Sequence, residues 1–343
     1  MNTKKMNFTF MNNSSNVFNT TRTILGILLI SILFLGSCKS DEPEEEQQEQ
    51  NQADGEFLSQ KMLDNRVDAV QTYNIDPTVD QTITGNKGTM LIIPANSIGL
   101  NGTAVTGNID VELIEIYSKA QMLFQNKSPL GKKSNGDEEA LKSAGEFFIN
   151  AKQSGTQLEL LNTIDVRSKT LDFSQTGQMN VFKGGDDIND TGLWTEADDD
   201  NNGEPDQAEL FETDNGVGFG YGIEGFGWSN LDRWYNFQGQ LTDLFVDAPD
   251  GYNNTNCALF LSYDGENALA RMDVFDTSTQ LFTEHYGRIP VGQEVHFIMV
   301  ATINEELHYA IQSTTITNNH VEVIPALQPI SGDDFAALVN ALP

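Results

Sequence analysis

The sequence predicts a mainly β protein: two β-sandwich-like domains, with a short N-terminal helix before them and a short C-terminal helix after them. Three observations carry this. From Thr82 to Ile324 apolar residues recur in short strand-like runs broken by Gly, Asn and Asp. Helical spacing is confined to two stretches, one near 56–72 and one after Ser331. Hydrophobic residues make up 38% of the chain and aromatics 9%, enough for packed cores rather than a disordered chain.

The first 37 residues stand apart. Lys4, Lys5 and Arg22 are their only charges, and Thr23 to Leu35 is almost wholly apolar. As a helix those 13 residues reach about 20 Å, short of the ~30 Å hydrocarbon core. A positive start, a short apolar run and a small-residue exit mark residues 1–37 as a secretory signal. The run closes on Leu35-Gly36-Ser37-Cys38, which resembles the lipobox of bacterial lipoproteins. That resemblance implies a lipidated Cys38 as the first mature residue and a membrane reached through acyl chains. The competing reading is an ordinary secreted or spanning start with a chance cysteine.

Cleavage there would move the charge from −31 to −34, because Lys4, Lys5 and Arg22 leave with the signal. So acidic a surface repels nucleic acid and anionic head groups, and attracts cations or basic partners. Residues 38–55 form an acidic tether in which only Ala53 is apolar after Cys38. Its Ser40-Asp41-Glu42 is similar to the surface-export signal of Bacteroidota lipoproteins, implying the outer face of the outer membrane. Cys257 is the second and last cysteine. With Cys38 acylated no intrachain disulfide can form, and Cys257, before Ala258-Leu259-Phe260-Leu261, reads as a buried strand residue.

Residues 56–72 place Leu63, Val67 and Val70 at helical spacing after Phe57, Leu58 and Met62, with Asp54 able to cap the start. Strands then follow within 73–165: Thr89–Pro94, Gly107–Leu113 and Glu146–Ala151. Gly88 to Pro94, Gly107 to Glu115 and Ser143 to Ile149 resemble the all-β domain shared by zona-occludens and netrin-receptor proteins, and more closely its relatives in Bacteroidota surface lipoproteins. In eukaryotes that domain is an interaction module, so the resemblance implies binding without chemistry.

Residues 166–240 read as an irregular Gly/Trp-rich β region. It closes on Gly227-Trp-Ser-Asn-Leu-Asp-Arg-Trp234, similar to a signature in the same lipoproteins, with Leu231 where a cysteine or polar residue is expected. Asp232 beside Arg233 suggests a local ion pair under two indoles; a sugar-stacking platform is the sharper alternative. From 241 to 343, strands near 259–263, 270–275, 295–303, 307–312 and 320–324 argue for an immunoglobulin- or transthyretin-like sandwich. Both faces of 295–303 are largely apolar, so that strand should be central. Ser331 caps a helix with Phe335, Leu338, Val339 and Leu342 on one stripe.

One motif points to a metal. Asp198 to Glu209 matches D-x-[DN]-x-[DN]-G-x₅-E, with side chains of Asp198, Asp200 and Asn202, the Glu204 carbonyl, Asp206 through water and a bidentate Glu209 as calcium ligands. Pro205 and the short, mixed flanks count against an EF-hand. A calcium loop of another kind and a solvated acidic loop are the two readings left. Gly220 to Gly225 matches G-x-G-x-x-G without a crossover helix behind it, and the four histidines show no ligand spacing. The expectation is a non-enzymatic surface lipoprotein that engages a protein or glycan partner. The alternative is an enzyme or a glycan-binding accessory subunit of a surface carbohydrate-processing system.

Overall fold

The computed structural model describes residues 53–169, 178–199, 201–213, 216–284 and 288–343. Helix α1 (Gly55–Asp68) is capped by Asp54, whose side chain accepts the Phe57 amide at 2.9 Å. It ends four residues before the expected 72, because Gln71 already pairs with Leu113 in a sheet. Its buried residues are Leu58, Met62 and Arg66, while Val67 is 52% exposed. The expected Leu63–Val67–Val70 stripe is therefore not the packed one. Helix α2 (Lys119–Phe124) and helix α3 (Gly332–Asn340) are capped by Ser118 and Ser331. In α3, Phe335 and Val339 are buried and Leu338 is 41% exposed.

The main strands are β1 (Gln71–Ile75), β2 (Gln81–Thr84), β3 (Met90–Ile93), β4 (Ile109–Ile116), β5 (Glu138–Gln153), β6 (Ile164–Arg167), β7 (Asn180–Lys183), β8 (Glu209–Thr213) and β9 (Gly216–Ile223). Then come β10 (Gly227–Trp234), β11 (Leu244–Asp247), β12 (Cys257–Tyr263), β13 (Leu269–Met272), β14 (Val274–Asp276), β15 (Leu281–Thr283), β16 (Glu294–Ile303), β17 (Glu306–Thr315) and β18 (His320–Val323).

The fold is mainly β, as expected, and builds two sandwiches. In the first, a sheet ordered β1-β4-β5-β10-β7 faces one ordered β8-β9-β6-β3-β2. Val111, Leu113, Phe147 and Ile149 of one meet Leu91, Ile93, Val166 and Phe219 of the other. The 166–240 stretch is thus not a separate irregular region: β6 to β10 complete both sheets of this sandwich. In the second, β14-β15-β11-β18 faces β13-β12-β16-β17, burying Leu244, Val246 and Phe282 against Leu259, Phe297 and Met299. Strand β16 is central, between β12 and β17, and both its faces are buried as its composition requires. A layer of helices covers its outer face. Helix α1 packs on β16 and α2, and α2 packs on α3, where Phe335 sits edge-on to Phe124 with ring centres 5.6 Å apart.

Strand β5 bends where it opposes Leu231 and Asp232, with a register shift between them. Gly145 supplies the bend at φ 143°, and a Cβ there would lie 2.6 Å from the Tyr117 ring, a place only glycine fills. No helix among the described residues is long and apolar enough to cross a membrane.

Candidate functional site

Cys38, the signal and most of the tether lie outside the described residues. The described chain is fixed from its second residue onward. The Asp54 amide donates to the Thr302 carbonyl at 2.8 Å, and the Thr302 hydroxyl returns a bond to the Asp54 carbonyl at 2.6 Å. Cys257 is buried on β12, and burial pushes its thiol up to about 12, so it stays a protonated small hydrophobe at neutral pH.

In the acidic loop the carboxylates of Asp198 and Asp206 face the loop's own amides, and that of Asp199 pairs with Lys183. Asp198 accepts the amides of Asn202 at 2.9 Å and Gly203 at 3.1 Å. Asn202 accepts that of Glu204 at 2.7 Å, and Asp206 that of Asp199 at 3.0 Å. Gly203 makes the turn at φ 86°. Glu204 is exposed, and so is Glu209, which opens β8 opposite Gly220. Asp200 lies outside the described residues. Among the described residues no group of three or more His, Cys, Asp or Glu is placed to hold a metal ion. Asp198→Ala leaves two amides without their acceptor and is expected to cost about 1 kcal/mol in the presence of chelator. The same loss in excess calcium marks a hydrogen-bonded loop; a loss that grows in calcium assigns an ion to Asp198.

The Gly227–Trp234 run is strand β10, paired between β5 and β7. Ser229 and Leu231 face the sandwich core, where the Tyr221 and Ser229 hydroxyls bond at 2.7 Å. Trp228, Asn230, Asp232 and Trp234 alternate onto the other face. The expected Asp232–Arg233 ion pair is therefore not formed, since neighbours along a strand point to opposite faces. Asp232 instead accepts the Asn230 amide nitrogen at 2.6 Å, and its other oxygen has no partner. Nor do the indoles form an open platform: Trp194 and Trp228 are 0% and 2% exposed, and half-buried Trp234 donates its N–H to Glu196.

This second face of β10 carries a buried polar cluster that no motif announced. Its centre is Lys127, just past α2 and fully buried, with Nζ 2.8 Å from Asp190 Oδ2. The ammonium lies 4.3 Å from the centre of the Trp194 ring and 5.1 Å from that of Trp228. The Arg66 guanidinium donates to the carbonyls of Gln125 at 3.0 Å, Asn126 at 3.1 Å, Ile188 at 2.8 Å and Asp190 at 3.2 Å. Glu146, opposite Asn230 on β5, is 0% exposed, and neither of its oxygens has a hydrogen-bond partner. Burial, then the nearby Asp232, pushes the Glu146 carboxyl well above its ordinary range, and burial pushes Asp232 up to about 7. Burial likewise lowers the Lys127 ammonium. The signal that could have found this cluster was slight: Gly184-Gly185 and Gly192 flank Asp190, and each packs against its carboxyl. Compared with known proteins, the chain matches no protein-family model and no curated relative.

Proposed function

We propose that the protein is a non-enzymatic lipoprotein, anchored in the outer membrane through Cys38 and facing outward, that binds a protein partner by strand addition. The leader and acidic tether support the anchoring and the display. The observation that carries the binding is the free edge of β18. Among the described residues this strand pairs only with β11, in parallel. The Ile324 amide donates to the Asp247 carbonyl at 2.9 Å, so the amides of Val321 and Val323 alternate away from β11. Their side chains are 53% and 62% exposed, and Val323 is the most exposed large hydrophobic residue among those described.

Edges this apolar are ordinarily blunted by Lys, Pro or a bulge, and β18 contains none of these. Across the same face Phe245 lies opposite Val321, Thr283 opposite Phe245 and Val274 opposite Thr283. Exposed Asp243 and Asp247 interleave with them, and these four strands hold no Lys or Arg. An extended segment alternating apolar and basic residues fits the edge, with backbone bonds for affinity and charge for choice of partner. A second copy of so acidic a chain does not.

Cells displaying the protein are expected to bind a synthetic peptide alternating Val and Lys, with affinity falling as salt rises, and not one alternating Val and Glu. Val323→Pro removes the outward N–H and should abolish binding while the protein stays on the surface. Cys38→Ser should remove both fatty-acid label and surface protein. Equal binding of both peptides, or binding of a glycan by wild type and Val323→Pro alike, would overturn the strand-addition reading.

A further inference from the structure

The Lys127–Asp190 contact is built more tightly than an ion pair requires. The carboxyl is gripped by backbone, with the Gly185 amide donating to Oδ2 at 3.1 Å and the Gly192 amide to Oδ1 at 3.2 Å. Gly184, Gly185 and Gly192 come so close that a Cβ on each would lie 3.3, 2.9 and 3.0 Å from carboxyl atoms of Asp190. The remaining Lys127 donors point to the carbonyls of Asp190 at 3.3 Å and Gly192 at 3.4 Å. Two indoles close the amine side. The Asp190 side chain is 25% exposed, so a small product can leave to solvent. Glu146 stands within electrostatic reach of Lys127, with both oxygens buried and unclaimed.

We propose that Lys127 and Asp190 condense into an intramolecular amide, with Glu146 relaying the proton. Nζ attacks Cγ of Asp190, the Nζ–Cγ bond forms, and one Cγ–Oδ bond breaks. The ammonium gives up two protons in all, and both leave with the departing oxygen as one water. Glu146 takes the first and delivers it to that oxygen, ending as it began. An ammonium and a carboxylate become a neutral amide, so no oxidant, cofactor or outside proton enters.

Holding the two groups at contact distance replaces a bimolecular encounter with a positioned one. Condensation removes two charges whose burial is costly. The Gly185 and Gly192 amides already point at the oxygens that carry negative charge as Cγ becomes tetrahedral. Burial, by lowering Lys127, favours the neutral amine that attacks; by raising Glu146, it lets that carboxyl hold a proton. Against the desolvation that raises it, the Lys127 contact and the two glycine amides keep Asp190 below its ordinary value. Its proton must therefore come from inside the cluster. The product ties the segment after α2 to the loop after β7, a covalent staple in a chain whose described residues hold one free thiol.

The test is mass spectrometry of peptides from the mature lipoprotein taken from cells. Peptides carrying Lys127 and Asp190 should appear joined, one water lighter than their sum, with no tryptic cut at Lys127. Asp190→Asn should give the same junction with ammonia lost instead of water, and Lys127→Arg should give none. Glu146→Gln should form it about a hundredfold more slowly, as the loss of a positioned proton carrier does. Separate, full-mass peptides from folded wild-type protein would overturn the proposal without reliance on any variant. A Glu146→Gln protein that joins at the wild-type rate would overturn the relay.

Discussion

Arg66→Ala should lower stability by about 3–5 kcal/mol, the scale on which removing one partner from a buried charged network is felt. The guanidinium is 2% exposed and gathers carbonyls from two separate segments, Gln125–Asn126 after α2 and Ile188–Asp190 after β7. Without it the carbonyls of Gln125, Asn126 and Ile188 lose that donor, the Asp190 carbonyl keeps only Lys127, and α1 loses its hold on the loop after β7. Arg66→Met keeps the apolar stem and should recover only the packing part. Arg66→Lys keeps the charge but cannot span the same fork of acceptors, so it should fall between. Urea midpoints at unchanged slope measure the three in order. A loss below about 1 kcal/mol in Arg66→Ala would mean that water replaces the guanidinium, and that Leu58, Met62 and the Asp54–Thr302 and Asn65–Phe124 bonds suffice to hold α1.

Asp232→Asn should stabilise the protein at neutral pH and change little in acid. Asp232 is fully buried, and burial raises its carboxyl from 3.8 to about 7. Between those values the unfolded chain has released a proton that the folded chain still holds, so stability falls as pH rises across that window and levels above it. The whole window is worth at most about 4 kcal/mol at 1.36 kcal/mol per unit. Asparagine is neutral throughout and should remove this slope. Glu146, raised in the same direction by burial and by Asp232, contributes its own fall, tempered by Lys127 and Arg66. Denaturation at acid and neutral pH reads the difference directly. An Asp232→Asn protein that keeps the wild-type slope would place the titration elsewhere.

Much of the fold was legible because strands and caps are local. Asp54 and Ser331 announce their helices, and the double-sided apolar pattern of 295–303 announces a central strand. The face of α1 was not, because its packed stripe ends in Arg66, which counts as polar in any periodicity. The role of 166–240 was hidden for another reason. Strand β10 earns its place by pairing with β5, some eighty residues earlier, and no short-range pattern specifies that partner. The cluster around Lys127 combines both difficulties. Its members come from α1, β5, β10, the end of α2 and the loop after β7, and each alone resembles an ordinary surface charge or core aromatic. The acidic loop was conspicuous by contrast, because its pattern is contiguous, yet the side-chain oxygens of Asp198 and Asn202 are turned to its own amides.

Strand β5 contributes to both cores: Ala140 packs with the second, while Ala144, Phe147, Ile149 and Ala151 pack with the first. Its 16 residues therefore belong to neither half alone. A gene segment ending near 165 would lack β10, which borders β5, and one beginning near 241 would lack the Ala140 end of its own core. Ancestry and recombination can hand this body on only as a single piece, from Ala53 to Pro343.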